Sequence, residues 1–511
     1  MRRVYLLSIL ITLLSFLQGN SQSIVDSMKT IRGVLLDTDT QMPLPYANIH
    51  IKNTNIGTVS NEKGYFSIHI TDLDINDTLC FQYIGYTTKC VQLNTIDSST
   101  IFYLKEEIFN LNETLIFGSP PNPLTIVKNV IKYKDSNYVK TNSRKQIFIR
   151  QRDISDIDKI ILKYKKSTIS DLDRDLVELV ERSIPRHSTS YTDFLGNVYS
   201  SKNEEDSIKM KIEPIRTVSL KEKDIAELEQ LETIFKDVFT SVEENEYWKV
   251  KSGIFSQKID MDDENTKSDT VTKSVKDTIN ENQRKLKYFQ MRVAYQLKYS
   301  LLNDKREWEF LYNTGRYNYT LAGGTRVNGE DVYIIDFVPK NGGEFVGRMY
   351  ISRETFALIR ADYNYAEGKT GRDFQLLGIG YTENTFSGSI YFEKKDDKYR
   401  LKYFSKKAGS YATIDRDIAL LKKRERFLFD KKLNEIKVGV DMALISESSI
   451  EMLILDEEEI PHERFISFEQ DKFMDIIYVD QFDDNLWKGF SIIEPTHQMK
   501  EYKKQVVDFS H

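Results

Sequence analysis

The residues best able to hold a metal or move a proton near neutral pH are six histidines: His50, His69, His187, His462, His497 and His511. No two of them stand in an HExxH or comparable spacing, which would set two imidazoles on one helix face, and there is no CxxC pair. A GxSxG elbow and a P-loop are also missing, so neither a nucleophilic serine nor a phosphate cradle is marked. Gly323-Gly324 and Gly342-Gly343 read as turns between strands. Asp336, Glu344 and Asp362 could do acid–base chemistry in pairs at the right separation. With 78 acidic residues in the chain, a nearby pair carries little information, and they read as solvated surface charge. No catalytic residue, no cofactor-binding residue, no cofactor and no metal ligand is assigned. The chain is read as not an enzyme, with a hydrolase of unrecognised site kept as an alternative.

Cys80 and Cys90 lie symmetrically about Gly85. With Gly85 in a turn between antiparallel strands, the pair would face each other, and the right register would bring the Cβ atoms within bonding reach. An exported protein allows a disulfide there. Two free thiols on a strand are the alternative, and the residues do not decide between them.

Export is indicated by the first 21 residues. Arg2 and Arg3 precede an apolar run from Val4 to Leu17, and the small residues Gly19 and Ser21 suit cleavage between Ser21 and Gln22. The run falls short of the ~20 residues that span a bilayer as a helix. No later run is apolar enough, so no transmembrane helix is expected in the mature chain. The 511 residues carry a formal charge of −6, or −8 once Arg2 and Arg3 are removed. Such a mildly acidic, mixed surface argues against nucleic acid as a partner. The length suits two to four domains. Tyr 29 and Phe 28 against Trp 3 favour sheets, where these rings pack well.

Positions that could do chemistry must be held by strands at the front. Ile49 and Ile51 share one strand face, as do Phe66, Ile68 and Ile70, and Leu79, Phe81 and Tyr83. Turn residues break these runs at Asp37–Thr40, Asn53–Asn55, Asn61–Gly64 and Asp74–Asp77. Gly64 is expected at positive φ, and Pro43 and Pro45 at an entry or edge. Short strands at this spacing predict a small sandwich or barrel. The stretch resembles the carboxypeptidase regulatory-like domain, a prealbumin-like β-sandwich of exported proteins in Gram-negative bacteria. Its carriers are Gly33-Val34, Pro45-Tyr46-Ala47-Asn48-Ile49, Gly57-Thr58, Asn61, Gly64-Tyr65-Phe66 and Tyr83-Ile84-Gly85-Tyr86, and they cover Ile31 to about Glu113. The resemblance implies a docking or folding module without catalysis.

Behind it, Leu111–Phe117 reads as a last strand, and Gly118–Pro123 as a boundary. A helix follows, with Leu124, Val127, Val130 and Ile131 at helical spacing and Pro123 in its first turn. Strands are expected at Gln146–Arg150 and Lys159–Tyr164, then a helix with Ser170 as its cap and Pro185 as its stop. A second helix is expected from Lys221 to Val242. Gln257–Arg284 is polar enough to read as a mobile loop. After it comes a β-meander, with strands at Val332–Phe337, Phe345–Ile351, Phe356–Tyr365, Leu377–Tyr381, Ser389–Glu393, Tyr399–Phe404 and Lys437–Ser446, and a short helix over Met499–Lys504. Gly347-Arg348-Met349-Tyr350-Ile351 followed by Ala357–Asp362 is similar to the curved half-barrel of periplasmic lipoprotein carriers, over roughly Tyr317 to Tyr403. That likeness implies a concave apolar face for lipid. An outer-membrane barrel is disfavoured, because strands such as Tyr391–Arg400 carry charges where lipid would lie.

The expected architecture is α+β and predominantly β: an N-terminal prealbumin-like sandwich, a helix, and a larger antiparallel meander with packed helices. Its divisions are 1–21 signal peptide, 22–117 sandwich, 118–140 linker and helix, 141–256 mixed region, 257–284 loop and 285–511 β-rich domain. The functional expectation is a non-enzymatic cell-envelope protein, periplasmic, outer-membrane-associated or secreted, whose partner is an envelope protein or a lipid-like ligand. A periplasmic carrier of a hydrophobic ligand is the main alternative.

Overall fold

The computed structural model describes residues 29–54, 56–70, 76–96, 99–108, 121–202, 208–220, 245–253, 255–259, 275–297, 302–327, 329–340, 342–427 and 429–502. Ser21, Gln22 and the leader, the strand expected at Leu111–Phe117, the helix expected over Lys221–Val242 and His511 lie outside them.

Alternation at the front makes seven strands: β1 (Lys29–Asp37), β2 (Asn48–Ile51), β3 (Gly57–Val59), β4 (Tyr65–Ile70), β5 (Thr78–Gln82), β6 (Lys89–Gln92) and β7 (Ser99–Leu104). They form two sheets, β4-β1-β7 and β3-β2-β5-β6. Pairing is antiparallel except between β1 and β7. Ile31, Leu35, Ile49, Phe66, Ile68, Leu79, Phe81 and Phe102 fill the space between the sheets. Gly64 stands at φ +78°, where a Cβ would sit 2.6 Å from the Leu35 carbonyl oxygen, so no other residue fits that turn without strain.

Helix α1 (Pro123–Asn137) starts with Asn122 accepting from the Leu124 amide and Pro123 at the first helical position. It buries Ile126, Val127 and Val130. The chain then runs through β8 (Ser143–Ser167), α2 (Arg174–Ser183), β9 (His187–Lys202), β10 (Ile208–Leu220), β11 (Glu246–Ser252), β12 (Phe255–Ile259), α3 (Val275–Leu297) and α4 (Glu309–Tyr312). Next come β13 (Tyr317–Val327), β14 (Glu330–Pro339), β15 (Phe345–Ser352), β16 (Leu358–Tyr365), β17 (Asp373–Leu376) and β18 (Ile379–Lys395). The chain closes with β19 (Lys398–Arg424), β20 (Lys431–Glu459), α5 (His462–Ser467), β21 (Ile477–Val479) and α6 (His497–Glu501).

These strands build one open sheet in the order β13-β14-β15-β16-β18-β19-β20-β8-β9-β10-β21. β17 pairs with β18, and β11 carries β12. β18 stops opposite Ile414, and β11 takes its place along β19 from Ala419 to Arg424. α1, α3 and α4 share a core with the wide end of this sheet, in which Val127, Val130, Val293, Trp308, Phe310, Phe337, Met349 and Tyr399 are buried.

Several expectations are corrected. Gln146–Arg150 and Lys159–Tyr164 belong to one 25-residue strand, β8. Its polar middle pairs across to β20, with Lys159 bonded to Asp441 and Arg152 to Glu447. The cap of α2 is Asp173, which accepts from the Leu176 amide, rather than Ser170. The loop expected over 257–284 begins with the end of β12 and closes inside α3. That helix extends further toward the N-terminus than its apolar positions Leu286, Val293 and Leu297 reveal. Strands from both sides of that stretch share one sheet, so it does not separate two sheets. Gly323-Gly324 lies within β13 at a register shift against β14, not in a connecting turn. Gly323 there takes φ +155°, a bulge position that suits glycine.

Candidate docking junction and cleft

The front sandwich sits on the large sheet, and the seam is polar and aromatic. Pro45 leads into Tyr46 at φ +61°, which turns its ring onto Tyr403 of β19, stacked at 4.9 Å. Tyr403 donates to Glu451 Oε1 on β20 (3.1 Å). Burial and the nearby Glu62 of the sandwich push the Glu451 carboxyl up to about 7, against the pull of Arg150. On the other flank Arg360 of β16 grips Asp362 with two nitrogens (2.7 and 3.1 Å). The same guanidinium reaches the Tyr83 hydroxyl (3.1 Å) and lies over the Tyr83 ring.

The C-terminal segment locks this seam. Thr58 Oγ1 donates to the Ile492 carbonyl (3.0 Å) and Asn61 Nδ2 to that of Glu494 (3.1 Å). From the sheet side, Arg150 Nη1 donates to the Ile493 carbonyl (2.8 Å). Arg150 also binds Asp193 of β9 in a fork, Nε to Oδ1 at 2.9 Å and Nη2 to Oδ2 at 2.6 Å. Their side chains are only 5% and 1% exposed. Removed from water, this pair persists because both its geometry and its remaining donors are satisfied. One buried arginine therefore joins two strands of the sheet to the segment that the sandwich grips.

Three cavities are relevant. One of about 20 Å³ lies in the seam among Tyr46, Asn48, Tyr83, Arg360 and Tyr391, about enough for one water. Another of about 200 Å³ lies beside it, walled by His50, Glu393, Lys395, Arg400, Lys402 and Glu457. Burial holds the His50 imidazole below the usual histidine range, with Glu393 opposing. The third, about 330 Å³, opens where α3 meets β18 and β19. Phe345, Tyr365 and Phe386 form a ring wall there. The opposite wall is charged: Lys406 pairs with Glu307 (3.3 Å), Arg306 with Glu383 (3.5 Å), and Tyr295 donates to Glu307 (3.0 Å). Burial and Glu309 raise Glu344 beside them.

The five described histidines lie on separate elements. His50 is on β2, His69 on β4, His187 opens β9, His462 opens α5 and His497 opens α6. Among the described residues no group of three or more His, Cys, Asp or Glu is placed to hold a metal. Asp336 is forked by Arg348 (2.6 and 3.0 Å), and Asp362 by Arg360. Cys80 and Cys90 face each other across β5 and β6, with sulfurs 2.07 Å apart. Sequence reasoning missed the clamp. Trp487-Lys488-Gly489-Phe490 marks an ordered end, but the contacts that matter run through backbone carbonyls, which leave no side-chain signature.

No curated protein matches the chain. Among solved structures, the Pseudomonas aeruginosa MucA/MucB complex aligns with 64% of this chain and 93% of its own, at 8% identity and TM-score 0.19. A lipoprotein-sorting protein domain from Vibrio parahaemolyticus aligns with 67% and 97%, at 9% identity and TM-score 0.22. A DUF1329 family protein from Desulfovibrio piger aligns with 64% and 92%, at 12% identity and TM-score 0.17. These include the class that Tyr317–Tyr403 resembles, but TM-scores this low carry no argument. The front is another matter: two packed sheets, a glycine turn at Gly64 and a model match over residues 31–116 make that segment a CarboxypepD_reg-like domain.

Proposed function

We propose that this chain is a non-enzymatic, exported cell-envelope protein in which the front module and the large sheet work as one rigid docking scaffold. The Arg150 clamp carries this reading. A buried guanidinium that holds Asp193 and the Ile493 carbonyl together makes the two parts one body rather than beads on a linker. The core that α1, α3 and α4 share with the sheet supports it too, because a rigid scaffold needs such a packed core. Export is supported by the charged and apolar leader of the sequence, and the described helices include none long and apolar enough to cross a membrane.

The carrier reading draws on the cleft of about 330 Å³ with its ring wall, a volume within the range of ligand sites. Its charged wall of Glu307, Glu383, Arg306 and Lys406 suits a polar ligand better than an acyl chain. Purification of the protein from its native envelope, with mass spectrometry of what accompanies it, tests the two. A protein partner in fixed ratio is the expected result. Lipid recovered at near-stoichiometric amounts would replace the scaffold by the carrier.

A further inference from the structure

The β19–β20 hairpin ends in the two most exposed large apolar side chains of the described residues. Phe427 is 102% exposed and Phe429 is 85% exposed, where none of the others exceeds 64%. Isolated exposed apolar residues are ordinary. Two bare aromatic rings two positions apart at the end of a long hairpin are not, since their cost in water brings no gain within the fold.

Their setting points to an occupant. From Lys422 to Lys432 the hairpin carries six basic residues, Lys422, Lys423, Arg424, Arg426, Lys431 and Lys432, against Glu425 and Asp430. The chain as a whole is acidic, at −6. Glu425 is engaged by Lys258 and Asp430 by the Tyr247 hydroxyl, while Lys422 and Arg424 pair with Glu246 and Lys432 with Glu435, so the basic excess at the tip rests on Lys423, Arg426 and Lys431. The tip is also held away from the body. Tyr403 touches the sandwich, and Arg424 lies 21 residues further along the same strand, roughly 70 Å at strand rise. The end of the projection is stiffened by Leu172, just ahead of α2, and Leu176 within it, which pack on Ile436, and by β11 along the edge of β19.

We propose that this tip docks the protein on an anionic lipid surface, with Phe427 and Phe429 entering the headgroup–acyl boundary and the basic collar facing the headgroup charge. Aromatic rings with flanking Lys and Arg match that boundary, where apolar burial and attraction to anionic lipid add. A protein groove fits less well. A narrow convex tip cannot supply the ~800 Å² per partner of a standard interface. The proposal goes beyond the scaffold reading, because it names the face that meets the membrane and leaves the partner of the seam open.

The test uses the full chain bearing Phe427→Trp. Trp248, Trp308 and Trp487 are each no more than 1% exposed, so their emission is a constant background and a lipid-dependent change comes from the new indole. With vesicles of phosphatidylethanolamine containing phosphatidylglycerol, its emission should shift to the blue and be quenched by brominated lipid. With phosphatidylcholine alone, or in high salt, both effects should fade. The double variant Phe427→Ser/Phe429→Ser should float with the anionic vesicles at least about tenfold less than the parent, since two buried rings are lost, while its thermal melting is unchanged. Emission that ignores anionic vesicles would overturn the proposal. So would equal flotation of the double variant. A double variant that loses self-association but not flotation would assign the tip to a second copy of the chain instead.

Discussion

The near and far halves of the long strands β8, β19 and β20 are made of the same backbone but are stabilised in different ways. In the near half Ile147, Phe148, Tyr403, Met452 and Leu453 are buried on strands that have helices, the sandwich or the C-terminal segment against them. In the far half most residues are partly exposed. There the ladder is laced by Lys159–Asp441, Lys407–Glu447 and Lys437–Asp417, and by Lys422 and Arg424 on Glu246. The free edge of β8 is blunted too: Glu181 of α2 accepts from the Leu162 amide (2.6 Å). Burial ends where the core ends, but a sheet can run on if its neighbours' charges alternate and its edge is guarded. The near half gains uniqueness from desolvation, and the far half gains reach.

The sharpest way to break this contrast is at Arg150–Asp193, the most deeply buried ion pair among the described residues of the near half. Arg150→Met leaves Asp193 charged in a dry site and frees the Ile493 carbonyl. The cost should be about 3–5 kcal/mol, read by urea denaturation. Because the clamp joins two cores, the single transition should also split, with the sandwich melting apart from the sheet. A variant that keeps one transition and loses under 1 kcal/mol would show that the remaining seam contacts, Tyr46 on Tyr403 and Arg360 on Tyr83 among them, hold the sandwich to the sheet without the clamp. A step down in size, Cys80→Ser/Cys90→Ser tests the sandwich by itself. A bond closing about ten residues restricts the unfolded chain by about 2–3 kcal/mol. Made on top of Arg150→Met, where the two transitions separate, the double variant should lose that much in the sandwich transition and nothing in the other. Free thiols titrated in the denatured wild type would remove the prediction with its premise.

The contrast also explains what the residues announced in advance. The sandwich was legible because its apolar positions alternate cleanly, as in Phe66–Ile68–Ile70, and its turns carry Asn, Asp and Gly. The length of β8 and β20 was not. Lys159 and Asp441 fall in short expected strands, but Arg152 and Glu447 lie outside any of them, and only cross-strand register turns the four into a ladder. The polar first turns of α3 hid its start for a similar reason. As for the seam, Tyr46 belongs to a recognisable motif, but nothing in sequence joins it to Tyr403 and Glu451, more than three hundred residues away. The clamp works through the carbonyls of Ile492, Ile493 and Glu494, and every residue has one.

Glu451 makes the seam sensitive to pH. Its carboxyl sits near 7 in the folded protein against an ordinary 4.5, so the fold favours the protonated form. The stabilisation is complete below pH 4.5 and is lost as pH rises through 7. Glu451→Gln imitates the protonated side chain and should remove that slope. At pH 8 the variant should be more stable than wild type by about 1–3 kcal/mol, and at pH 5 the two should nearly coincide. The same stability-against-pH curves would refute the idea if the difference were constant across that range.

The smallest effect belongs to the far half, and its smallness is informative. Lys407 of β19 pairs with Glu447 of β20 at 2.8 Å, and both side chains reach solvent. Water already screens such a pair, and holding two long side chains together costs entropy, so Lys407→Ala should cost no more than about 0.5–1 kcal/mol. Glu447 does not become an orphan, because Arg152 of β8 still binds it. Salt should erase what difference there is, whereas the loss in Arg150→Met, inside the dry seam, should hardly respond to salt. A large, salt-resistant loss at Lys407 would mean that the far half is dehydrated by something lying on it, and the division of the strands into a buried half and a solvated half would fail there.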